Sequence, residues 1–247
     1  MLSIVEAARE YREDPRVGMR PPARAQPISR AFRPVRATLV LGVAVLCLGR
    51  QAQGATLAIT VHASDGHALQ GAVVTVRPLD APVRHVAPVR AIVDQVNRAF
   101  VPDLIVIPVG STIEFPNSDS VSHQIYSFSS AKRFQLPLYR GKPYPPEHFD
   151  QAGVVTLGCN IHDEMLAYVL VTDASWYGRT DSAGSWTTEV PRGRYRVEIW
   201  HPRLRDSETD LARELLVGDT DRADLTLRLA KPLQPAPLSE RPHSWDY

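Results

Sequence analysis

Sulfur is scarce in this sequence: its 247 residues include 2 Cys and 3 Met. Two Cys cannot build the dense disulfide framework that staples small secreted domains. No apolar run reaches the roughly 20 residues that a membrane-spanning helix needs. Heptads, a phosphate-cradling Gly loop and a nucleophile elbow are all missing, which removes coiled coils, P-loop enzymes and α/β-hydrolases from the field. Neither sign of charge dominates, with 28 Lys and Arg against 27 Asp and Glu. Nine of the Arg lie in residues 1–55 with only four acids, so the remainder is mildly acidic. An acidic body gives no support to nucleic-acid binding.

The basic N-terminal segment has its own logic. Arg30, Arg33 and Arg36 precede the apolar run "ATLVLGVAVLCLG", and "RQAQGA" follows it. A basic region, an apolar stretch and small residues near Gly54 and Ala55 predict a secretory signal over residues 1–55, with an uncleaved anchor as the alternative. Met19 offers an in-frame start that gives a signal of ordinary length. Leu46 before Cys47 is not the small residue of a lipoprotein cleavage site. The expected destination is the periplasm, with no membrane association after cleavage. Cys47 leaves with the signal, and Cys159 becomes the one Cys of the exported chain. Without a disulfide partner it is buried and inert, an intermolecular linker, or chemically occupied.

Downstream, the pattern is that of short strands. Leu57, Ile59 and Val61 alternate, then Val73, Val74 and Val76 follow the turn "SDGHALQG", as in a β-hairpin. "LIVIPVGSTIEF", "SHQIYSFS", "GVVTL" and "AYVLVTD" are further β-type runs broken by Gly, Pro, Asn and Asp. Two more strands surround "PRG" near residue 192, and another is expected at "ADLTLRLA". The connection over 131–152 is predicted to hold one helical turn, and 204–216 a short helix. Residues 231–247 form a Pro-rich tail expected to be disordered. The predicted class is all-β.

Chemistry concentrates at Cys159, His162 and Met165, a C-x-x-H-x-x-M spacing. Thiolate, imidazole and thioether are ligands that copper prefers, and a trigonal His₂Cys set with a weak axial Met is the blue-copper electron-transfer site. The missing second imidazole is expected from His123, brought across by a sheet. Taken singly, each residue has a plainer reading: Cys159 a structural thiol, His123 a surface or core His, Met165 core. Zinc is an alternative at Cys and His, although structural zinc takes four strong N/S ligands and Met is a poor one. A Cys–His nucleophile pair is another, without a visible orienting group or oxyanion motif.

The order of these segments resembles the cupredoxin family. "V-G-x-x-I-x-F-x-N-x-D" leads to His123, and a long connection leads to "GVVTLGCNIHDEM" and a closing strand. The ligand loop is similar to the short amicyanin type. "DQVNRAFVPDLIVIPVGSTIEFPNSDSVSHQIYSFS", "FQLPLYRGKP" and "LGCNIHDEM" resemble secreted cupredoxin-like methylamine utilization proteins. The resemblance implies a Greek-key β-sandwich over 92–174 and one type 1 copper held by His123, Cys159, His162 and Met165. It also implies Phe115 and Val155, with Tyr126 and Phe128, as apolar neighbours of the site. One departure stands out: Gln124 follows His123 where small blue copper proteins carry an Asn that ties the ligand loops, the nearest Asn here being Asn117 and Asn160. The flanks, 56–80 plus 176–230, resemble a carboxypeptidase regulatory-like, prealbumin-like sandwich. They are expected to form one discontinuous, smaller domain, with Gly184 and Gly193 at its turns.

A single Cys in the loop excludes a dinuclear purple site, and no His-x-His pair of a multicopper oxidase occurs. Catalysis therefore has no visible site, and the chain is not expected to be an enzyme. Two functional classes remain. One is an electron carrier between redox proteins, such as a dehydrogenase and a cytochrome c, with amine oxidation as its candidate setting and docking through the His162 face. The other is a copper-binding structural, storage or delivery module. A carrier needs an apolar patch around His162, for which Leu136, Pro137, Leu138, Tyr139 and Leu166 are the candidates.

Overall fold

The computed structural model describes residues 54–141, 143–205 and 211–235. The signal expected over 1–55 lies outside these up to residue 53, and so does the tail from 236 onward. The described chain is all-β. In chain order it contains β1 (Ala55–His62), β2 (Val73–Pro78), β3 (Arg90–Ile92), β4 (Asp94–Val96), β5 (Ala99–Val101) and β6 (Leu104–Pro108). Then come β7 (Ser111–Glu114), β8 (His123–Ser129), β9 (Lys132–Tyr139), β10 (Glu147–Phe149), β11 (Gly153–Gly158) and β12 (Leu166–Thr172). The last are β13 (Trp176–Arg179), β14 (Ser185–Val190), β15 (Gly193–Trp200), β16 (Arg213–Val217) and β17 (Arg222–Arg228).

Two sandwiches result. In the central one, a five-stranded sheet of order β6-β12-β11-β8-β9 faces a three-stranded sheet of order β10-β7-β3. Period-2 alternation makes the core: Val155 and Leu157 of β11 and Ala167, Val169 and Val171 of β12 point inward. They meet Ile113 of β7 and Phe149 of β10 from the opposite sheet. On β8 the inward set is His123, Ile125 and Ser127, all buried. His123 therefore enters the interior by the same alternation that places Ile125 there.

The flanking strands make the other sandwich, from sheets β14-β1-β17 and β13-β2-β15-β16. Leu57, Ile59 and Val61 of β1 pack with Val74 and Val76 of β2 and with Tyr195, Val197 and Ile199 of β15. Strand β1 pairs with β14, and β2 pairs with both β13 and β15. The chain thus leaves after β2, builds β3 to β12, and returns as β13 alongside β2, with Trp176 opposite Val76. Gly184 turns the chain at φ +71°, and a Cβ there would come within 2.5 Å of the Val61 carbonyl oxygen. Gly193 also has positive φ, at +154°.

The sandwiches share a third apolar cluster. Leu104 and Leu170, on the outer face of the five-stranded sheet, are buried against Val73, with Tyr168 packed edge-on to Trp200. Arg77 bridges the same junction by ion pairs to Asp173 and Glu198.

The two segments expected to be helical contain strands among the described residues. Residues 132–139 and 147–149 are strands of the 131–152 connection, which has no helical turn among its described residues. Within the segment 204–216, residues from 213 onward belong to β16, paired with β15 from Gly193↔Val217 to Val197↔Arg213. The open edge of β15 offers this segment a ladder, and Val217 enters the core. Residues 206–210 of that expectation lie outside the described residues.

Candidate metal centre

The candidate site lies where β8 and β11 meet the loop to β12. Gly158 at the end of β11 pairs antiparallel with Tyr126 of β8. The chain that continues from Gly158 therefore runs back along β8 toward His123, and Cys159 is its first residue. The loop then turns at His162, closed by a hydrogen bond from the Met165 N–H to the His162 carbonyl at 3.0 Å. Met165 immediately precedes β12, which anchors the loop's far end.

Three donor atoms converge. Ligand atoms of His123, Cys159 and His162 all lie within 4.8 Å of one another. The Nδ1 atoms of His123 and His162 are 3.1 Å apart, and Cys159 Sγ is 3.9 Å from His162 Nδ1. His123 is fully buried, Cys159 is buried and His162 is half-buried. Met165 is buried in the same apolar cluster as Cys159, together with Phe115 and Val155. Two imidazole nitrogens and one thiol, set in an apolar wall, are a donor set suited to a soft or borderline metal such as copper. The structure brings His123, Cys159 and His162 into mutual contact range, and Met165 lies in the apolar core that Cys159 also joins.

Other expectations fare differently. Phe128 does not shield the site: its side chain is 76% exposed. Tyr126 is half-buried and closes over Gly158, where an added Cβ would lie 2.8 Å from its ring and hydroxyl. Only glycine lets this ring lie flat on the strand beside Cys159. Within the expected apolar patch, Leu136 and Tyr139 are buried instead, while Pro137 and Leu138 are exposed. A bulge explains this. The β8–β9 register jumps from His123↔Tyr139 to Ile125↔Leu136, so β9 holds an extra residue and its alternation breaks. Ile161, beside His162 in the loop and 52% exposed, is an apolar surface residue that the sequence reading did not single out.

The residues that fix His123 were not read from sequence. Its Nε2 is 2.9 Å from Asp119 Oδ2. Asp119 also accepts hydrogen bonds from the Arg98 amide at 2.7 Å and the Ser120 amide at 2.6 Å. The His123 hydrogen bond, with those two amides, holds its carboxyl well below the usual carboxylate range. Asn117, buried, donates to the carbonyls of Val121 and Tyr139 and accepts the Asp119 amide. It ties the segment before His123 to the end of β9, a staple drawn from an Asn six residues before the ligand. The signal in the sequence was the acid four residues ahead of His123 in "NSDSVSH".

A buried polar chain backs this corner. Gln95 Nε2 donates to the Tyr139 hydroxyl at 2.6 Å, and that hydroxyl donates to the Phe115 carbonyl at 2.5 Å. Burial, set against the Gln95 hydrogen bond, pushes the Tyr139 phenol up to about 12.

Solved structures similar to this chain are partial matches. A purple cupredoxin from Nitrosopumilus maritimus is 26% identical, covering 33% of this chain and 99% of its own, with a TM-score of 0.30. The copper-containing nitrite reductase NirK from Thermus scotoductus SA-01 is 25% identical over 39% of this chain, with a TM-score of 0.32, and the match spans only 25% of that enzyme. A mutant amicyanin in its reduced state is 21% identical, covering 40% of this chain and 98% of its own, with a TM-score of 0.31. No family model matches the chain, and neither does any curated protein.

Proposed function

We propose that this protein is a periplasmic mononuclear type 1 copper protein that carries single electrons between redox partners. The observation that carries this reading is the mutual approach, within 4.8 Å, of donor atoms from His123, Cys159 and His162. Met165 is the weak fourth donor in this reading. Copper held there supplies a one-electron couple. The residues contribute by placement: β8 buries His123, β11 delivers Cys159 into an apolar wall that excludes water, and the loop leaves His162 half-buried. The partly exposed His162, beside exposed Ile161, is the face offered to a partner such as a dehydrogenase or cytochrome c, with amine oxidation as the candidate setting. Residues 92–174 form the cupredoxin domain in this reading. The halves 56–80 and 176–230 join around it as one prealbumin-like domain, supported by the β1–β14 and β2–β13 pairings.

Film voltammetry of the copper-loaded chain tests the carrier role. A reversible one-electron wave is expected. A loaded protein that passes copper to an acceptor but shows no reversible wave supports a delivery module instead.

A further inference from the structure

We propose that Asp119 is the positioning residue of this centre, presenting the Nδ1 lone pair of His123 to the metal and raising the donor strength of its ring. The inference rests on the copper reading above. A carboxylate only accepts, so the hydrogen between Asp119 Oδ2 and His123 Nε2, 2.9 Å apart, belongs to the ring. Nε2–H then fixes the tautomer and leaves Nδ1 as the lone-pair nitrogen, the atom that faces His162 at 3.1 Å. The contact is sheltered, with side-chain exposures of 0% for His123 and 8% for Asp119. In such a setting a carboxylate pushes electron density into the imidazole, as outer partners of metal-bound histidines do.

Asp119 is itself held by a built device. The β4–β5 hairpin turns through Asn97 and Arg98, at φ 50° and 58°. Two positive φ values fit the tight hairpin turn, but Arg is an unusual occupant of the second position. That conformation directs the Arg98 amide onto the same Oδ2 that holds His123. The hairpin grips the loop a second time, where Asp94 accepts the Ser118 hydroxyl at 2.7 Å and its amide at 3.2 Å. Amide, carboxylate and imidazole thus form one line from the hairpin to the donor atom.

The test compares the full copper-loaded chain with Asp119→Asn and Ser118→Ala, by copper(II) and copper(I) competition titrations and by voltammetry. Asp119→Asn keeps the shape and removes the charge. Its copper(II) affinity should fall about 10- to 100-fold. Copper(I), less demanding of a strong nitrogen donor, should lose less, so the potential rises by about 59 mV for each tenfold difference. Ser118→Ala loosens the loop but keeps the Asp119–His123 contact, so its shift in potential should be clearly smaller than that of Asp119→Asn. A second reading needs no variant: in the metal-free wild type, the His123 Nε2 proton should give a deshielded, slowly exchanging NMR signal. An unchanged potential in Asp119→Asn, an equal shift in Ser118→Ala, or a His123 Nε2 that carries no proton overturns the proposal. A wild type that binds no copper refutes the copper reading itself, and is told apart from those results by the wild-type titration.

Discussion

The Nδ1 atoms of His123 and His162 face each other at 3.1 Å, although 39 residues separate them in the chain. One proton between the two nitrogens satisfies both. His123 accepts through Nδ1 because its own hydrogen is engaged with Asp119, so His162 donates. A metal held by both nitrogens would take that place, with the His162 proton moved to Nε2, and would join β8 to the β11–β12 loop. At free copper 1,000-fold above its dissociation constant, such linkage stabilises the fold by about 4 kcal/mol. For a chain of this size the melting temperature should rise on the order of 10 °C. Calorimetry with and without one equivalent of copper checks this, and an unchanged melting temperature counts against a preformed site.

Met165 is buried with Cys159 and sits next to β12, so a substitution of similar volume is tolerated. In the proposed copper site, Met165→Leu would remove only a weak donor. The loaded variant should keep its colour and show a higher potential than wild type. Voltammetry decides it, and loss of colour would give Met165 a stronger role than the one assigned.

Tyr126 lies so close to Gly158 that a methyl group cannot fit between them. Gly158→Ala should cost about 1–3 kcal/mol through overpacking and shift the adjoining Cys159. Tyr126→Ala in the same chain should restore much of the loss. Urea denaturation of the two single variants and the double variant gives the coupling energy, and additivity would deny the contact.

Tyr139 ties the Gln95 side chain to the Phe115 carbonyl and keeps its proton to about pH 12 in the folded state. An unfolded Tyr loses its proton near pH 10. Between these values the unfolded chain binds fewer protons, so stability is fully present below pH 10 and falls as the pH rises toward 12. Tyr139→Phe should flatten part of that fall, leaving a remainder from Tyr177 and Tyr195, whose phenols burial also pushes up. At neutral pH the same variant should lose about 1–3 kcal/mol, because buried partners are left unpaired. Chemical denaturation across pH 7–11.5 measures both effects.

The approach of Cys159 and His162 was legible from sequence because their relation is local: one short loop fixes them between two strands. His123 was legible by its place at the head of an alternating strand, where a sheet brings it back to the Cys. Asp119 was hidden because its role depends on the Arg98 amide, which a hairpin some 20 residues upstream supplies from an unusual backbone conformation. Leu136 and Tyr139 were placed on the surface because simple alternation fails at the β9 bulge, which sends Leu138 outward. The strand over 213–217 escaped notice for a related reason. Its neighbour β15 creates the pairing edge, and nothing within the segment announces it.

The visible absorption spectrum of the copper(II)-loaded chain, beside that of Cys159→Ser, tests the central claim most directly. A thiolate bound to copper(II) in a His₂Cys set should give an intense blue charge-transfer band. The Ser variant should lack it, since a hydroxyl oxygen cannot supply the covalent sulfur bond. A colourless wild type, or a band that survives in Cys159→Ser, contradicts the account.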